Sequence, residues 1–123
     1  EVRRFVFVTV PKMLSSLRST YNRQGAEGQT EDDVMARYTD ADLLIMDDMG
    51  AEQVTNSGWV EDRLYQIIGE RHAEERPTVF TSNLTLEQLA KRIGERITWR
   101  IVEMVGANVV HVGGPNLRDA APG

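Results

Sequence analysis

Three short apolar runs set the limits on how this chain can fold. Phe5-Val6-Phe7-Val8-Thr9-Val10, closed by Pro11, is β-branched and aromatic without polar alternation, the signature of a strand buried on both faces. Leu43-Leu44-Ile45-Met46 ends abruptly in Asp47 and Asp48, and Thr78-Val79-Phe80-Thr81-Ser82 follows Pro77. Between these runs the apolar residues recur at helical spacing. Pro11 suits the first turn of a helix carrying Met13, Leu14 and Leu17, which polar residues from Asn22 to Gln29 bring to an end. A short acidic helix is predicted near Glu31 to Tyr38. Val60, Leu64, Ile67 and Ile68 share one face of a further helix that starts near Ser57 and carries Glu61 and Asp62 early. Strands alternating with helices predict an α/β fold on a parallel sheet, with ligands bound at the carboxyl ends of the strands.

Thr85-Leu86-Glu87-Gln88 has the form of a capping box, and Leu84 is placed to staple against Leu89, so a new helix is predicted to begin at Leu86. Gly94 separates it from a second helical stretch with Ile97, Ile101 and Met104. Asn108 to Val112 is expected to form a final strand before Gly113-Gly114-Pro115, and Asp119 to Gly123 to form a frayed tail. The absence of any internal repeat or linker points to one domain, or part of one.

Composition narrows the chemistry. The 123 residues include no cysteine, so neither a disulfide framework nor a thiolate zinc site can be built. No apolar run approaches the roughly 20 residues needed to span a bilayer, and the start of the chain does not read as a signal peptide, so a soluble, cytoplasmic protein is expected. Acidic residues outnumber basic ones, 19 to 14, for a net charge of −5, which argues against coating nucleic acid through bulk positive charge while leaving local basic patches open. Lys12 and Lys91 are the only lysines, and the arginines that dominate suit carboxylate and phosphate contacts. His72 and His111 have no partner at metal-ligand spacing and read as packing or surface residues.

Asp47 and Asp48 are the residues with most chemical content. An apolar strand ending in two carboxylates puts them at the carboxyl edge of a parallel sheet, where burial is costly unless a cation or hydrogen-bond donors compensate. Mg²⁺ takes one or two carboxylates together with waters and substrate phosphates, and this pair supplies that number. The alternative is that the two aspartates cap the turn at Gly50. At the end of the next strand, the Asn83 amide could orient a water or touch a terminal phosphate, or it could serve only as a turn former.

The ordered set Leu43-Leu44-Ile45-Met46-Asp47-Asp48-Met49-Gly50-Ala51-Glu52, Phe80-Thr81-Ser82-Asn83-Leu84 and Gly94-Glu95-Arg96-Ile97-Thr98-Trp99-Arg100 resembles the DnaC/DnaI helicase-loader family of AAA+ ATPases, which is related to the ATPases that assist transposases. The resemblance runs from about Phe5 to Arg118 and includes a last motif, Gly114-Pro115-Asn116-Leu117-Arg118. It implies a three-layer α/β fold with the parallel sheet of a P-loop NTPase. It implies ATP and Mg²⁺ as cofactors, with Asp47 helping to hold the metal, Asp48 polarising the attacking water and Asn83 as the first sensor. Arg100 matches the arginine finger that reaches a neighbouring subunit's ATP, and Arg118 the second sensor that contacts nucleotide in cis. Arg96 lies four residues before Arg100 on the same helical face and is a rival for the finger, the other arginine then pairing with Glu103 or Glu95. The implied partners are the replicative helicase, single-stranded DNA and further copies of the chain in a ring or helix. Arg18 and Tyr21 on the first helix, and Ser57 and Trp59 after Gly50, fall at places where the family grips DNA, and Arg and aromatic side chains can hold a phosphate and stack a base. Against this, Tyr21 also continues the Leu14 and Leu17 stripe, and Trp59 could bury against Leu64.

The sequence departs from the family in one respect. No Gly-rich string ending in Gly-Lys-Ser/Thr occurs between Glu1 and Gly123, so the phosphate-cradling loop and its central strand are missing. Residues 1–123 are therefore expected to be a partial AAA+ domain lying C-terminal to that loop and inactive as an ATPase alone. A non-catalytic module that binds helicase or DNA, and a transposase-assisting ATPase, are the other functions compatible with the sequence.

Overall fold

In a computed structural model the described residues are 3–22, 29–51 and 58–106, with the main chain alone at 21 and 22. Strand β1 (Phe5–Thr9) leads directly into helix α1 (Val10–Asn22), followed by α2 (Glu31–Thr39), β2 (Leu43–Asp47), α3 (Trp59–Ala73), β3 (Thr78–Phe80), α4 (Leu86–Ile93) and α5 (Glu95–Val105). The strands form one parallel sheet in the order β1-β2-β3, in a register that aligns Val8 with Met46 and Met46 with Phe80. The start of the β1–β2 pair is clamped where the Arg4 amide donates to Asp42 Oδ2 at 2.7 Å and the Asp42 amide returns to the Arg4 carbonyl at 2.8 Å. This is the α/β parallel-sheet fold that the alternating pattern predicts. Among the described residues no helix is long and apolar enough to cross a membrane.

Two of the helices start where a local side-chain motif specifies it. Thr30 and Thr85 open α2 and α4 with reciprocal capping boxes, closed by Asp33 and Gln88 respectively, so two otherwise orphaned backbone donors are satisfied at each start. Three acidic residues sit in the first turn of α2 and two in that of α3, where the positive end of the helix dipole favours them. α1 begins at Val10, one residue before Pro11, so the strand ends at Thr9 rather than at Val10.

The core lies between one face of the sheet and the helices. Val8, Leu44 and Met46 project into it and meet Met13, Leu14 and Leu17 of α1, Val34 and Tyr38 of α2, and Leu64, Ile67 and Ile68 of α3. The opposite face corrects the expectation that β1 is buried on both sides. Phe5 and Phe7 are 68% and 65% exposed, and Val79 on β3 is 45% exposed. Those residues alternate with Val6, Val8 and Phe80, so they point away from the helical layer. The described residues thus supply the sheet and a helical layer on one face of it.

Arg71 is the charged side chain buried in this core, with no exposed surface. Its Nη1 donates to the carbonyls of Tyr38, Thr39 and Ala41 at 2.9, 3.1 and 2.8 Å, Nη2 to that of Pro77 at 2.7 Å, and Nε to Thr78 Oγ1 at 2.8 Å. It thereby ties the α2–β2 connection to the start of β3. Burial, and then the neighbouring Arg76, lower its pKa from the ordinary arginine value, while Asp40 and Asp42 act in the opposite sense. The five acceptors provide the compensation that a buried guanidinium requires.

Candidate functional site

The sheet delivers Asp47 and Asp48 to its carboxyl edge, half-buried, and β3 holds them there. The Thr81 hydroxyl donates to Asp47 Oδ1 and accepts from the Asp48 amide at 2.9 Å. The Thr81 carbonyl accepts from the Met49 amide at 2.8 Å, and the Ser82 hydroxyl donates to the Met49 carbonyl at 2.6 Å. Asp48 adopts a left-handed backbone with φ of 65°, a conformation open to aspartate more than to most residues. Two residues on, Gly50 has φ of 89° and is buried. A Cβ there would stand 2.7 Å from a Leu84 methyl and 2.8 Å from a Leu89 methyl, so both leucines proposed as the staple converge on this glycine. Arg92 Nη1 donates to the Gly50 carbonyl at 3.0 Å, fixing α4 against the same turn.

These contacts bear on the turn-capping alternative. The bond closing the turn runs between backbone atoms, from the Ala51 amide to the Asp48 carbonyl at 3.1 Å. The Asp47 carboxylate instead meets Thr81, and among the described residues no donor reaches Asp47 Oδ2 or either oxygen of Asp48. Oxygens left open in this way fit a hard cation that keeps several waters. No group of three or more His, Cys, Asp or Glu residues that could hold a metal ion is present among the described residues. Asn83 lies exposed just beyond the Thr81-Ser82 bridge, at the same edge of the sheet.

Arg100 is elsewhere. It sits on α5, where Nη2 donates to the Tyr65 hydroxyl of α3 at 2.8 Å and Nε lies 3.5 Å from Glu103 Oε1. Arg96 places Nη2 3.2 Å from Asp62 Oδ1 and Nε 3.9 Å from Glu61 Oε2. Both guanidiniums approach the Tyr65 ring, Arg96 at 4.1 Å and Arg100 at 5.3 Å from its centroid. Of the two carboxylates expected as partners on α5, Glu103 pairs with Arg100, whereas Arg96 turns to α3 rather than to Glu95. No hydrogen bond or ion pair joins either arginine to Asp47, Asp48 or Asn83. Gly94, with φ of 101°, starts α5 beside Glu61, whose Oε2 would be 2.7 Å from a Cβ at that position.

Of the residues proposed to grip DNA, the fold brings Arg18 and Trp59 together. The Arg18 guanidinium lies 5.5 Å from the Trp59 ring centroid, and Arg63 lies at the same distance from that ring. Arg63 also pairs with Glu31 at 2.9 Å. Trp59 is partly buried and packs on the core, so the burial alternative accounts for part of its surface. The Tyr21 side chain, Ser57, Arg118 and the expected strand from Asn108 to Val112 lie outside the described residues.

Sequence reasoning missed Thr81, Tyr65 and Arg63. Thr81 stood in a string already singled out, and its hydroxyl at a strand end was a usable signal. Tyr65 and Arg63 interleave with the Leu64 stripe of α3, and nothing local marks their partners.

Comparison with known proteins identifies relatives of the chain as a whole. A family model described as IstB-like ATP binding protein matches residues 2–119. The replicative helicase loader DnaC of Escherichia coli (strain K12) is 27% identical over 96 residues, covering 78% of this chain and 37% of DnaC. The protein YdaV of the same strain is 30% identical over 96 residues, 78% of this chain and 36% of YdaV. The chain thus spans little more than a third of these relatives. Among solved structures, the DnaC helicase loader superposes with a TM-score of 0.68 at 22% identity, over 83% of this chain and 58% of that one. AMPPCP-bound DnaA from Aquifex aeolicus gives 0.69 at 14% identity, over 81% and 29%. These two likenesses show that the chain shares the parallel-sheet α/β fold of those structures.

Proposed function

The chain belongs to the IstB-like ATP-binding protein family, and from that premise we propose that it is part of an AAA+ ATPase that loads the replicative helicase onto single-stranded DNA. The observation that carries the proposal is the edge between β2 and β3, where Thr81 fixes Asp47 while Asp48 presents a carboxylate that no described donor reaches. The similarity to DnaC favours a helicase as the partner. In that role the protein works in the cytoplasm as a ring or helix of like subunits, and its phosphate-binding loop has to come from outside these 123 residues.

Mg²⁺ bound with ATP neutralises charge that spreads over the transferring phosphoryl group. Asp47 would hold the metal through Oδ2 or through water, its other oxygen being occupied by Thr81. Asp48 would polarise the attacking water, and the exposed Asn83 amide would orient it. Arg100, whose hydrogen-bond and ion-pair partners among the described residues lie on α5 and α3, would act in trans on a neighbouring subunit's nucleotide, and Arg118 in cis. Stabilisation by positioned charge across a subunit boundary makes the assembly the active species. Arg18 and Trp59 would meet single-stranded DNA, the ring stacking a base and the guanidinium holding a phosphate. Tyr21 and Ser57 complete that proposed surface.

Subunit mixing tests the proposal. In the full-length gene product, Asp48→Asn and Arg100→Ala should each reduce ATP hydrolysis to a small residual rate while ATP still binds. Mixing the two variants should restore activity at interfaces that combine an intact Asp48 with an intact Arg100. Hydrolysis unaffected by either change would remove the catalytic assignment, and capture of a transposase in place of the replicative helicase would move the protein to the related transposase-assisting class.

A further inference from the structure

Two arginines on one face of α5 qualify as the charge offered to a neighbouring subunit, and Tyr65 touches both. The two are held differently. Arg96 directs Nε to Glu61 and Nη2 to Asp62, so carboxylates of its own chain already oppose its charge. Arg100 has Nε near Glu103 and Nη2 on the Tyr65 hydroxyl, and among the described residues nothing accepts from its Nη1. Arg96 also lies closer to the Tyr65 ring, 4.1 Å against 5.3 Å.

We propose that Tyr65 is a positioning residue for the trans charge: it fixes the Arg100 guanidinium with its Nη1 side available to a partner subunit's phosphoryl group, while Arg96 holds the Tyr65 ring in place. The inference rests on Arg100 being the finger. A free arginine samples many rotamers, and a finger that must be ordered at the moment of reaction loses part of its effect. Here the phenol oxygen and Glu103 order it beforehand. The ring draws two cations to one place, and Glu61, Asp62 and Glu103 offset their mutual repulsion.

The test is steady-state ATP hydrolysis by the assembled full-length protein. Tyr65→Phe keeps the ring and its packing and removes only the oxygen. It should lower kcat roughly tenfold or more through misplacement of the guanidinium and leave KM for ATP unchanged. In an Arg100→Ala background the same change should cost nothing further. Unaltered turnover in Tyr65→Phe, a KM that rises in step with the loss, or an equal loss with and without Arg100 would each overturn the proposal. Failure of the finger itself is read separately, because Arg100→Ala alone would then turn over at the wild-type rate, and the role of Tyr65 would fall with it.

Discussion

The Thr81 hydroxyl donates to the Asp47 carboxylate across the junction of β2 and β3, and the same oxygen accepts the Asp48 amide at 2.9 Å. One side chain therefore sets both the orientation of the first carboxylate and the entry of the chain into the left-handed turn at Asp48. Thr81→Val keeps the shape and removes both bonds. It should destabilise the fold by about 1 to 3 kcal/mol and depress ATP turnover, whereas Thr81→Ser should keep most of both. Urea unfolding followed by circular dichroism, paired with an ATPase assay of the full-length protein, provides the check.

Gly50 is the second fixed point of that turn. Its φ of 89° and the two leucine methyls that crowd its missing Cβ act together. Gly50→Ala should cost at least about 2 kcal/mol, from a strained backbone and an overpacked contact. Truncating Leu84 in the same protein should recover part of the loss by making room, although the backbone strain would remain. A urea midpoint restored fully to wild type would show that crowding alone was responsible.

Arg71 leads to a prediction about stability with no catalytic component. Arg71→Met should lose about 3 to 5 kcal/mol, since the carbonyls of Tyr38 and Ala41 lose a donor inside the core. Arg71→Lys should rescue little, because a compact ammonium cannot span acceptors on α2, the α2–β2 connection and β3 as a planar fork does. Chemical denaturation ranks the three proteins, and a lysine variant as stable as wild type would contradict this account.

Trp59 offers a reporter for DNA. In a Trp99→Phe background, which leaves Trp59 as the single tryptophan of this segment, single-stranded oligonucleotide should quench its fluorescence. Trp59→Ala should weaken binding by about 1 to 3 kcal/mol. Arg18→Ala should reduce the salt dependence of binding by about one phosphate contact. Emission that ignores saturating oligonucleotide would leave Arg18, Arg63 and Trp59 as a packing cluster.

Local chemistry was legible in the sequence wherever it was complete within a few residues. Thr85 and Gln88 specify the start of α4 by themselves, and an aliphatic run followed by two aspartates marks the carboxyl end of β2 without help. What escaped is non-local or ambiguous in period. In β1 the inward Val6 and Val8 alternate with the outward Phe5 and Phe7, and since all four are apolar no pattern separates the faces. Arg71 occupies the last turn of a helix, an ordinary place for a solvated arginine, and only the tertiary fold reveals that its fork meets carbonyls 30 and 33 residues away. The bond from Thr81 to Asp47 joins residues 34 apart, and the clasp of Tyr65 on Arg100 joins residues 35 apart.

The sheet face bearing Phe5, Phe7 and Val79 also governs how such a segment behaves in a tube. Two exposed phenyl rings on a parallel ladder, beside strand edges that no described residue caps, should act as an adhesive side on which identical molecules stack. A preparation of these 123 residues alone should elute at a size that grows with concentration and should scatter light on warming. Charges introduced at Phe5 and Phe7 would disperse it, since both rings stand clear of the packed interior and their replacement leaves the opposite, helix-covered side intact.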